Sequence, residues 1–203
     1  MPKKLLNNPV FLLVCVAVIA LAAAHSPQTK SLVEAAADST SPRAVALSEN
    51  WEVVSVADGD TITVRRGNQR KKIRFCGIDA PEIKHGKQPG QPFGNEAREK
   101  LRSLVATANN QVMIIPIETD RYGRTVAEVM ASGKDGVEVS FQEEILKSGM
   151  ARIYSTFVDK CPNKEAFKQA EEIGKSKRLG VWGDSSSIPP WEFRKQQRQN
   201  RGN

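Results

Sequence analysis

The stretch WEVVSVADGDTITVRRGNQRKKIRFCGIDAPE, residues 51–82, contains three short runs typical of β-strands, separated by turn signals. The first and second runs are joined through Asp58, Gly59 and Asp60, and an Asp-Gly pair between two such runs favours a hairpin. The polar sequence GNQR separates the second run from the third. Three strands in succession with short connections predict an antiparallel meander at the start of the folded domain.

Beyond residue 82 the pattern mixes helices and strands. The predicted elements are a helix at 95–108, strands at 111–117 and 123–131, a helix at 141–148 and a last helix from Pro162 to Gly180. Ser140 and Glu143 form a capping box before the second helix, and Ala166, Ala170 and Ile173 are expected to face inward in the last one. Five strands with a helix between the third and fourth predict an α+β fold: a five-stranded oligonucleotide-binding (OB-fold) β-barrel with about three packed helices.

The composition is that of an ordinary folded protein. The chain has 203 residues, of which 39% are hydrophobic and 26% are charged, which excludes a disordered chain. Its net charge is +7 at pH 7. A positive excess favours polyanionic partners, among them nucleic acid, an anionic membrane or an acidic polysaccharide.

The N-terminus predicts export. Residues 1–24 begin with the basic sequence MPKK, continue in an apolar run without charge, and end in three alanines. This pattern is typical of a signal peptide that is cleaved before His25. An uncleaved membrane anchor is the alternative, because the apolar run is almost long enough to span a bilayer. Either way the rest of the chain is secreted, periplasmic or otherwise extracytoplasmic, and any membrane contact is made through this N-terminal segment.

The remaining chain divides into three parts. Residues 25–50 are rich in Ser, Ala and Thr and predict a flexible linker. The folded domain is expected at 51–183, and 184–203 form a basic C-terminal tail that includes Arg194 and Arg198. Such a tail is typically a solvated, disordered end, and a DNA-gripping role is the alternative.

Charged residues crowd the end of the third predicted strand. Arg74, Asp79 and Glu82 lie at the end of an apolar run, and ionised groups are seldom buried unless they pair or bind a metal. In a meander the first turn and the end of the third strand can meet at one edge, which brings Asp60 beside Asp79. Two carboxylates with a backbone carbonyl and waters suit Ca2+ or Mg2+. The alternative for Asp58-Gly59-Asp60 is a plain hairpin turn, in which these residues are common.

Arginines supply the complementary part of a phosphate site. Arg74 lies in the third strand and Arg124 follows a turn after the fourth, and each guanidinium can bind phosphate oxygens bidentately. An ordinary ion pair with an acid is the alternative role for either arginine. Glu82 is a carboxylate able to orient or deprotonate water. A metal ion, two arginines and one acid together suffice to hydrolyse a phosphodiester bond.

Three segments also match a known family. VADGDT (56–61), IRFCGIDAPE (73–82) and DRYGRTVAEV (120–129) resemble the signature stretches of the staphylococcal nuclease (thermonuclease) family. The resemblance extends from Trp51 to Gly183, and the tail sequence PPWEFRK (189–195) also resembles members of this family. It implies a five-stranded OB-fold barrel with three helices, in agreement with the pattern above.

The resemblance also implies an activity and a set of roles. Family members cut DNA and RNA with little sequence preference and leave 3′-phosphate ends, so the expected partners are DNA and RNA substrates, with no protein partner implied and a monomer expected. The implied roles are Ca2+ ligands at Asp60, Asp79 and Ala80 (through its carbonyl), phosphate-binding residues at Arg74 and Arg124, and a general base at Glu82. The alternative is a non-catalytic nucleic-acid-binding OB-fold module tethered at the membrane, against which the intact set of residues argues.

The mature chain keeps two cysteines once the signal peptide, with Cys15, is removed. They are Cys76 in the third strand and Cys161 before the last helix. An even count in an exported protein suggests a disulfide. The alternative is an inert buried thiol at Cys76 and a helix-start residue at Cys161.

Overall fold

The computed structural model describes residues 49–86, 88–133 and 136–201. The predicted signal peptide or anchor at 1–24 lies outside the described residues, as does the predicted linker except for Glu49 and Asn50, which already belong to the first strand. Across the described ranges, no helix has both the length and the apolar character that a membrane span requires.

The described chain contains eight strands, five of which form a barrel. The strands are β1 (Glu49–Val56), β2 (Thr61–Arg66), β3 (Gln69–Phe75), β4 (Ile78–Asp79), β5 (Gln111–Thr119), β6 (Thr125–Ser132), β7 (Glu138–Ser140) and β8 (Arg152–Ile153). The larger sheet has the order β3-β2-β1-β5-β6-β7, and a parallel pairing of β3 with β6 closes the barrel. This closed barrel confirms the predicted OB-fold.

The β1–β2–β3 meander sets the edge at which the charged residues collect. Asp58 accepts a hydrogen bond from the backbone N–H of Asp60 at 3.1 Å, which stabilises the tight turn between β1 and β2. In the β2–β3 register Thr61 lies opposite Arg74. The residue before β2 and the end of β3 therefore meet at one edge of the sheet, as the meander predicts.

The described part of the chain also contains five α-helices. They are α1 (Gly94–Thr107), α2 (Phe141–Lys147), α3 (Ser155–Val158), α4 (Lys164–Ser176) and α5 (Pro190–Arg201). Ser140 caps α2 as predicted, because its hydroxyl accepts the backbone N–H of Glu143 at 3.4 Å. The helices α1, α2 and α4 bury Leu101, Ile145 and Phe167 in the core and are the three predicted packed helices.

The inward face of α4 differs from the prediction. Ile173 is 39% exposed, whereas the buried face consists of Phe167, Ala170, Glu171 and Gly174. A Cβ atom at position 174 would lie 2.6 Å from the carbonyl oxygen of Leu146, so only glycine permits this approach of α4 to α2. This backbone contact sets the rotation of α4 and turns Ile173 outward.

Within the basic tail, Pro190–Arg201 form a helix, not the disordered end expected from the charge of the tail. Pro190 at the start of α5 is buried, and the Trp191 ring stacks on Tyr154 with centroids 5.1 Å apart. The segment before α5 is held by Arg152, whose guanidinium donates to the carbonyl oxygen of Ser187 at 3.1 Å. These contacts fix the first turn of α5 against the barrel.

A disulfide joins Cys76 to Cys161, with Cα atoms 6.0 Å apart. The bond connects the end of β3 to the segment between α3 and α4, across 85 residues of sequence. Gly77 has φ 71°, and a Cβ atom there would lie 2.7 Å from the Cys161 sulfur. Glycine at this position therefore allows both the left-handed backbone and the close approach of the disulfide.

Replacing both cysteines with alanine is expected to lower the free energy of unfolding by about 2–4 kcal/mol, because the unfolded chain loses the constraint of a long closed loop. Chemical denaturation of the oxidised wild type and the Cys76→Ala/Cys161→Ala variant measures this difference. Reductant should destabilise the wild type and leave the double variant unchanged. Two titratable thiols in the unreduced chain from His25 onward would contradict the bond.

Candidate active site

A cavity of about 900 Å3 opens at the edge of the barrel where the β1–β2 turn, the end of β3 and the turn after β5 meet. Its lining includes all six residues to which the sequence assigned a catalytic or metal-binding role: Asp60, Arg74, Asp79, Ala80, Glu82 and Arg124. The fold therefore brings together residues that are separated by up to 64 positions in the sequence.

Two buried carboxylates share one guanidinium at the centre of the cavity. Asp60 is 4% exposed and Asp79 is 1% exposed. Arg74 forms an ion pair with Asp60 through one terminal nitrogen and donates to Asp79 Oδ1 at 2.5 Å through the other. Buried ionised groups are stable only when paired and hydrogen-bonded, so this ion pair explains how both aspartates are accommodated.

The Asp60 carboxylate is held by two further donors. Its Oδ2 accepts the backbone N–H of Ala80 at 2.7 Å, and its Oδ1 accepts the hydroxyl of Thr61 at 3.1 Å. The backbone carbonyl of Asp60 accepts the N–H of Phe75 at 2.9 Å. The side chain and main chain of Asp60 are both fixed relative to β3 and β4, so the carboxylate has one defined orientation.

The oxygen donors of this cluster fit a hard divalent cation. The carboxylates of Asp60 and Asp79 and the carbonyl of Ala80 are the kind of ligands that Ca2+ takes in proteins. In the structure two guanidinium groups, those of Arg74 and Arg194, lie against these carboxylates, so the site already concentrates cationic charge. Within residues 49–86, 88–133 and 136–201, no group of three or more His, Cys, Asp or Glu side chains is arranged around a common metal position. A cation here would therefore depend on backbone carbonyl and water ligands besides the two aspartates.

Asp58 lies beside the cluster and acts on the turn. Burial raises the pKa of the Asp58 carboxyl above its ordinary value, and the nearby guanidinium of Arg74 opposes part of that rise. Its Oδ1 accepts the N–H of Asp60, so Asp58 supports the backbone from which Asp60 projects. Asp58 therefore stabilises the hairpin turn, which was the alternative for Asp58-Gly59-Asp60, whereas the Asp60 carboxylate faces Arg74 in the charged cluster.

Glu82 lies after β4, in a segment without regular secondary structure. Its Oε1 accepts a hydrogen bond from Arg194 Nη1 at 2.6 Å. The same guanidinium contacts both oxygens of Asp79, at 3.1 Å and 2.7 Å. Burial alone would lower the pKa of Arg194, but the hydrogen bonds and charges of Asp79 and Glu82 raise it above its ordinary value.

The sequence did not predict Arg194 as a site residue. The sequence signals for this segment were the resemblance of PPWEFRK to family members and the presence of Trp191, a large aromatic residue, within a basic tail. Trp191 and Arg194 are three positions apart and therefore lie on the same side of α5. The stacking of Trp191 on Tyr154 directs Arg194 into the cavity.

Arg124 lines the cavity from the turn between β5 and β6. Asp120 organises this turn, because its Oδ1 accepts the N–H groups of Tyr122 and Arg124 at 2.9 Å and 3.0 Å, and its Oδ2 accepts Arg124 Nε at 2.7 Å. Burial raises the pKa of Asp120, but the hydrogen bonds from Arg124 outweigh this effect and lower it. The carboxylate that holds Nε also sets the direction of the Arg124 guanidinium.

The OB-fold barrel carries a cavity of carboxylates and guanidiniums, which are groups suited to phosphodiester hydrolysis. A family model described as "Staphylococcal nuclease homologue" matches residues 72–184. The chain is 34% identical over 148 residues to the "Micrococcal nuclease" of Shigella flexneri, covering 71% of this chain and 79% of that protein. It is 34% identical over 149 residues to an "Uncharacterized endonuclease" of Haemophilus influenzae, covering 73% of this chain and 74% of that protein.

The chain belongs to the staphylococcal nuclease family. This membership confirms the predicted family, fold and enzyme class, that of a phosphodiester-hydrolysing nuclease. The matched range contains Arg74, Asp79, Ala80, Glu82 and Arg124, and Asp60 precedes it.

Proposed function

We propose that this chain is an exported, Ca2+-dependent nuclease that hydrolyses DNA and RNA and leaves 3′-phosphate ends. The observation that carries the proposal is the convergence of Asp60, Asp79, Arg74 and Glu82 in one open cavity. Two oxygen ligands for a cation, a phosphate-binding guanidinium and a candidate base are the groups that phosphodiester hydrolysis requires.

In this proposal Asp60 and Asp79 hold Ca2+ with their carboxylates and Ala80 holds it with its carbonyl. When bound there, the cation supplies positive charge that polarises a phosphate oxygen. Arg74, which lies against both aspartates, would be available to donate to the phosphate once a bound cation compensated their charge. The buried positions of Asp60 and Asp79 strengthen this electrostatic effect because the local dielectric constant is low.

Glu82 accepts a proton from a water molecule, and the water oxygen attacks phosphorus as that proton leaves. Arg74 and Arg124 donate hydrogen bonds to the equatorial oxygens, whose negative charge increases in the five-coordinate transition state. The bond from phosphorus to the 5′ oxygen breaks, that oxygen takes up a proton from solvent, and Glu82 returns the proton that it accepted to solvent. The products are therefore a 3′-phosphate and a 5′-hydroxyl.

The proposed tolerance of sugar and sequence follows from which groups line the cavity. The cavity lining includes Arg74, Arg121, Arg124 and Arg198, all of which can contact phosphates. Phosphate contacts carry no direct sequence information, and they are common to DNA and RNA. The positive net charge adds long-range attraction for either polymer.

Export is supported by two independent features. The N-terminal segment 1–24 has the pattern of a signal peptide, with an uncleaved anchor as the alternative. The disulfide between Cys76 and Cys161 is typical of proteins that fold in an oxidising compartment.

Digestion of plasmid DNA and of RNA by the chain from His25 onward tests the proposal. Both substrates should be cut in Ca2+ and spared in EDTA, because removal of the cation leaves the phosphate charge uncompensated. The new 5′ ends should accept labelled phosphate from a kinase without prior dephosphorylation. Parallel reactions in Mg2+ show whether the smaller cation substitutes.

Two results would contradict the proposal. Undiminished cleavage in EDTA would show that the reaction needs no divalent cation. Products with 5′-phosphate ends would show that the 3′ oxygen, and not the 5′ oxygen, is the leaving group. Binding of either polymer without cleavage in any cation would instead support the alternative of a non-catalytic module. An unprocessed, membrane-bound chain in the producing cells would support the anchor.

A further inference from the structure

The residues next to Glu82 in the chain do little to fix the position of its carboxylate. Glu82 lies in the segment between β4 and α1, where helix or strand hydrogen bonds do not fix the backbone. Its side chain is 29% exposed, so core packing leaves the carboxylate a choice of directions. A general base must be held close to its water molecule, and small displacements are costly. Glu82 therefore needs a partner to define its position.

Among the described residues, Arg194 is that partner. It approaches from a helix 112 residues later in the chain and donates to Glu82 Oε1 at 2.6 Å. Its two terminal nitrogens also contact the two oxygens of Asp79, at 3.1 Å and 2.7 Å. A planar guanidinium with bidentate contacts has a fixed geometry, so it ties Glu82 to a nearly inaccessible aspartate.

The backbone of Glu82 is joined to the same C-terminal segment. Gln91 accepts the Glu82 N–H at 3.0 Å with its side-chain oxygen, and its own backbone N–H donates to the Glu82 carbonyl at 2.8 Å. The side-chain amide of Gln91 donates to the carbonyl of Ile188 at 3.2 Å. Gln91 thus links the Glu82 main chain to the residues that lead into α5.

The start of α5 is itself rigidly placed. Trp191 and Tyr154 stack with nearly parallel rings, 3° apart, and Arg152 holds the carbonyl of Ser187. Arg194 follows Trp191 by three positions and lies on the same helix face, so the contacts of Trp191 also fix the position of Arg194. The side chain of Glu82, through Arg194, and its backbone, through Gln91, are therefore both held by the segment that includes Ile188 and the start of α5.

We propose that Arg194 is a positioning residue for catalysis, which holds the Glu82 carboxylate beside the cation ligand Asp79. This inference rests on the proposed role of Glu82 as the general base. Arg194 acts through Glu82 and not on the substrate. The C-terminal tail therefore contributes one residue, Arg194, to the active site.

A double-mutant cycle tests this role. Arg194→Ala should lower kcat about 10- to 100-fold at saturating Ca2+ with little change in KM, because a misplaced base affects the chemical step. Arg194→Lys should recover part of the loss, since an ammonium restores the charge but not the bidentate fork. In a Glu82→Gln background, Arg194→Ala should cause no further loss, because the group that it positions is absent.

The matched control is Lys195→Ala, which removes the same charge from the adjacent, exposed position of α5 and should keep wild-type kinetics. Thermal unfolding of each variant separates misfolding from misplacement. If Arg194→Ala does not fold, the cycle is completed with Arg194→Lys, whose partial loss must likewise disappear in the Glu82→Gln background.

Three outcomes would overturn the inference. An Arg194→Ala variant with higher activity would show that Arg194 blocks the site, and one with unchanged kcat would show that it does not position Glu82. An equal loss in the wild-type and Glu82→Gln backgrounds would show direct action on the substrate. Wild-type turnover by Glu82→Gln alone would instead refute the proposed role of Glu82, which distinguishes the two failures.

Discussion

Glu82→Gln is expected to lower kcat about 10²–10⁴-fold, the contribution typical of a positioned general base. Glutamine has nearly the same shape as glutamate and keeps an oxygen that can accept the hydrogen bond from Arg194, so the site geometry should persist. An amide cannot accept the proton of the attacking water at neutral pH, so the chemical step alone is affected. Steady-state cleavage of a labelled oligonucleotide at saturating Ca2+ measures the loss.

Glu118→Gln is the matched control for this substitution. Glu118 also lines the cavity, but it is paired with Lys160 at 2.6 Å and has no assigned chemistry. The control should retain activity, and both variants should unfold at nearly the wild-type temperature because both side chains are partly exposed. Near-wild-type cleavage by Glu82→Gln would refute its assignment as the base.

The features of the fold that could be predicted are those determined by residues close together in the sequence. The turn at Asp58, Gly59 and Asp60 and the cap at Ser140 depend on side chains that bond the nearby backbone, so their sequence signals are direct. The parallel pairing of β3 with β6, which places Phe75 opposite Ala127, joins distant segments. Local pattern leaves that pairing undetermined, and it follows only from the barrel architecture.

The same division applies to the candidate site. The approach of Asp60 to Asp79 could be predicted because a meander places a turn and a strand end at one edge. Arg194 could not, because its position depends on how Trp191 stacks on Tyr154, a contact between two distant segments. A basic helix with few apolar residues has the same sequence character as a solvated tail, so charge alone was misleading.

Asp60→Asn is expected to weaken Ca2+ binding about 10²–10³-fold, because it replaces one of the two carboxylate charges that would hold the divalent cation with a neutral amide oxygen. The amide keeps the volume of the side chain and one oxygen that can accept the Ala80 N–H. Asparagine therefore tests the charge with less structural damage than alanine. The rise in melting temperature with added Ca2+ measures binding independently of cleavage.

Asp58→Asn provides the comparison that assigns the effect to one carboxylate. Asp58 lies two residues earlier in the same turn and hydrogen-bonds the backbone of Asp60, but it is not one of the proposed ligands. The Asp58 variant should bind Ca2+ nearly as the wild type does, whereas cleavage by Asp60→Asn should fall and recover partly as Ca2+ is raised. Undiminished Ca2+ affinity in Asp60→Asn, or an equal loss in Asp58→Asn, would show that the cation does not bind between Asp60 and Asp79. A loss specific to Asp60 would establish that the buried pair, and not the general acidity of the turn, holds the cation.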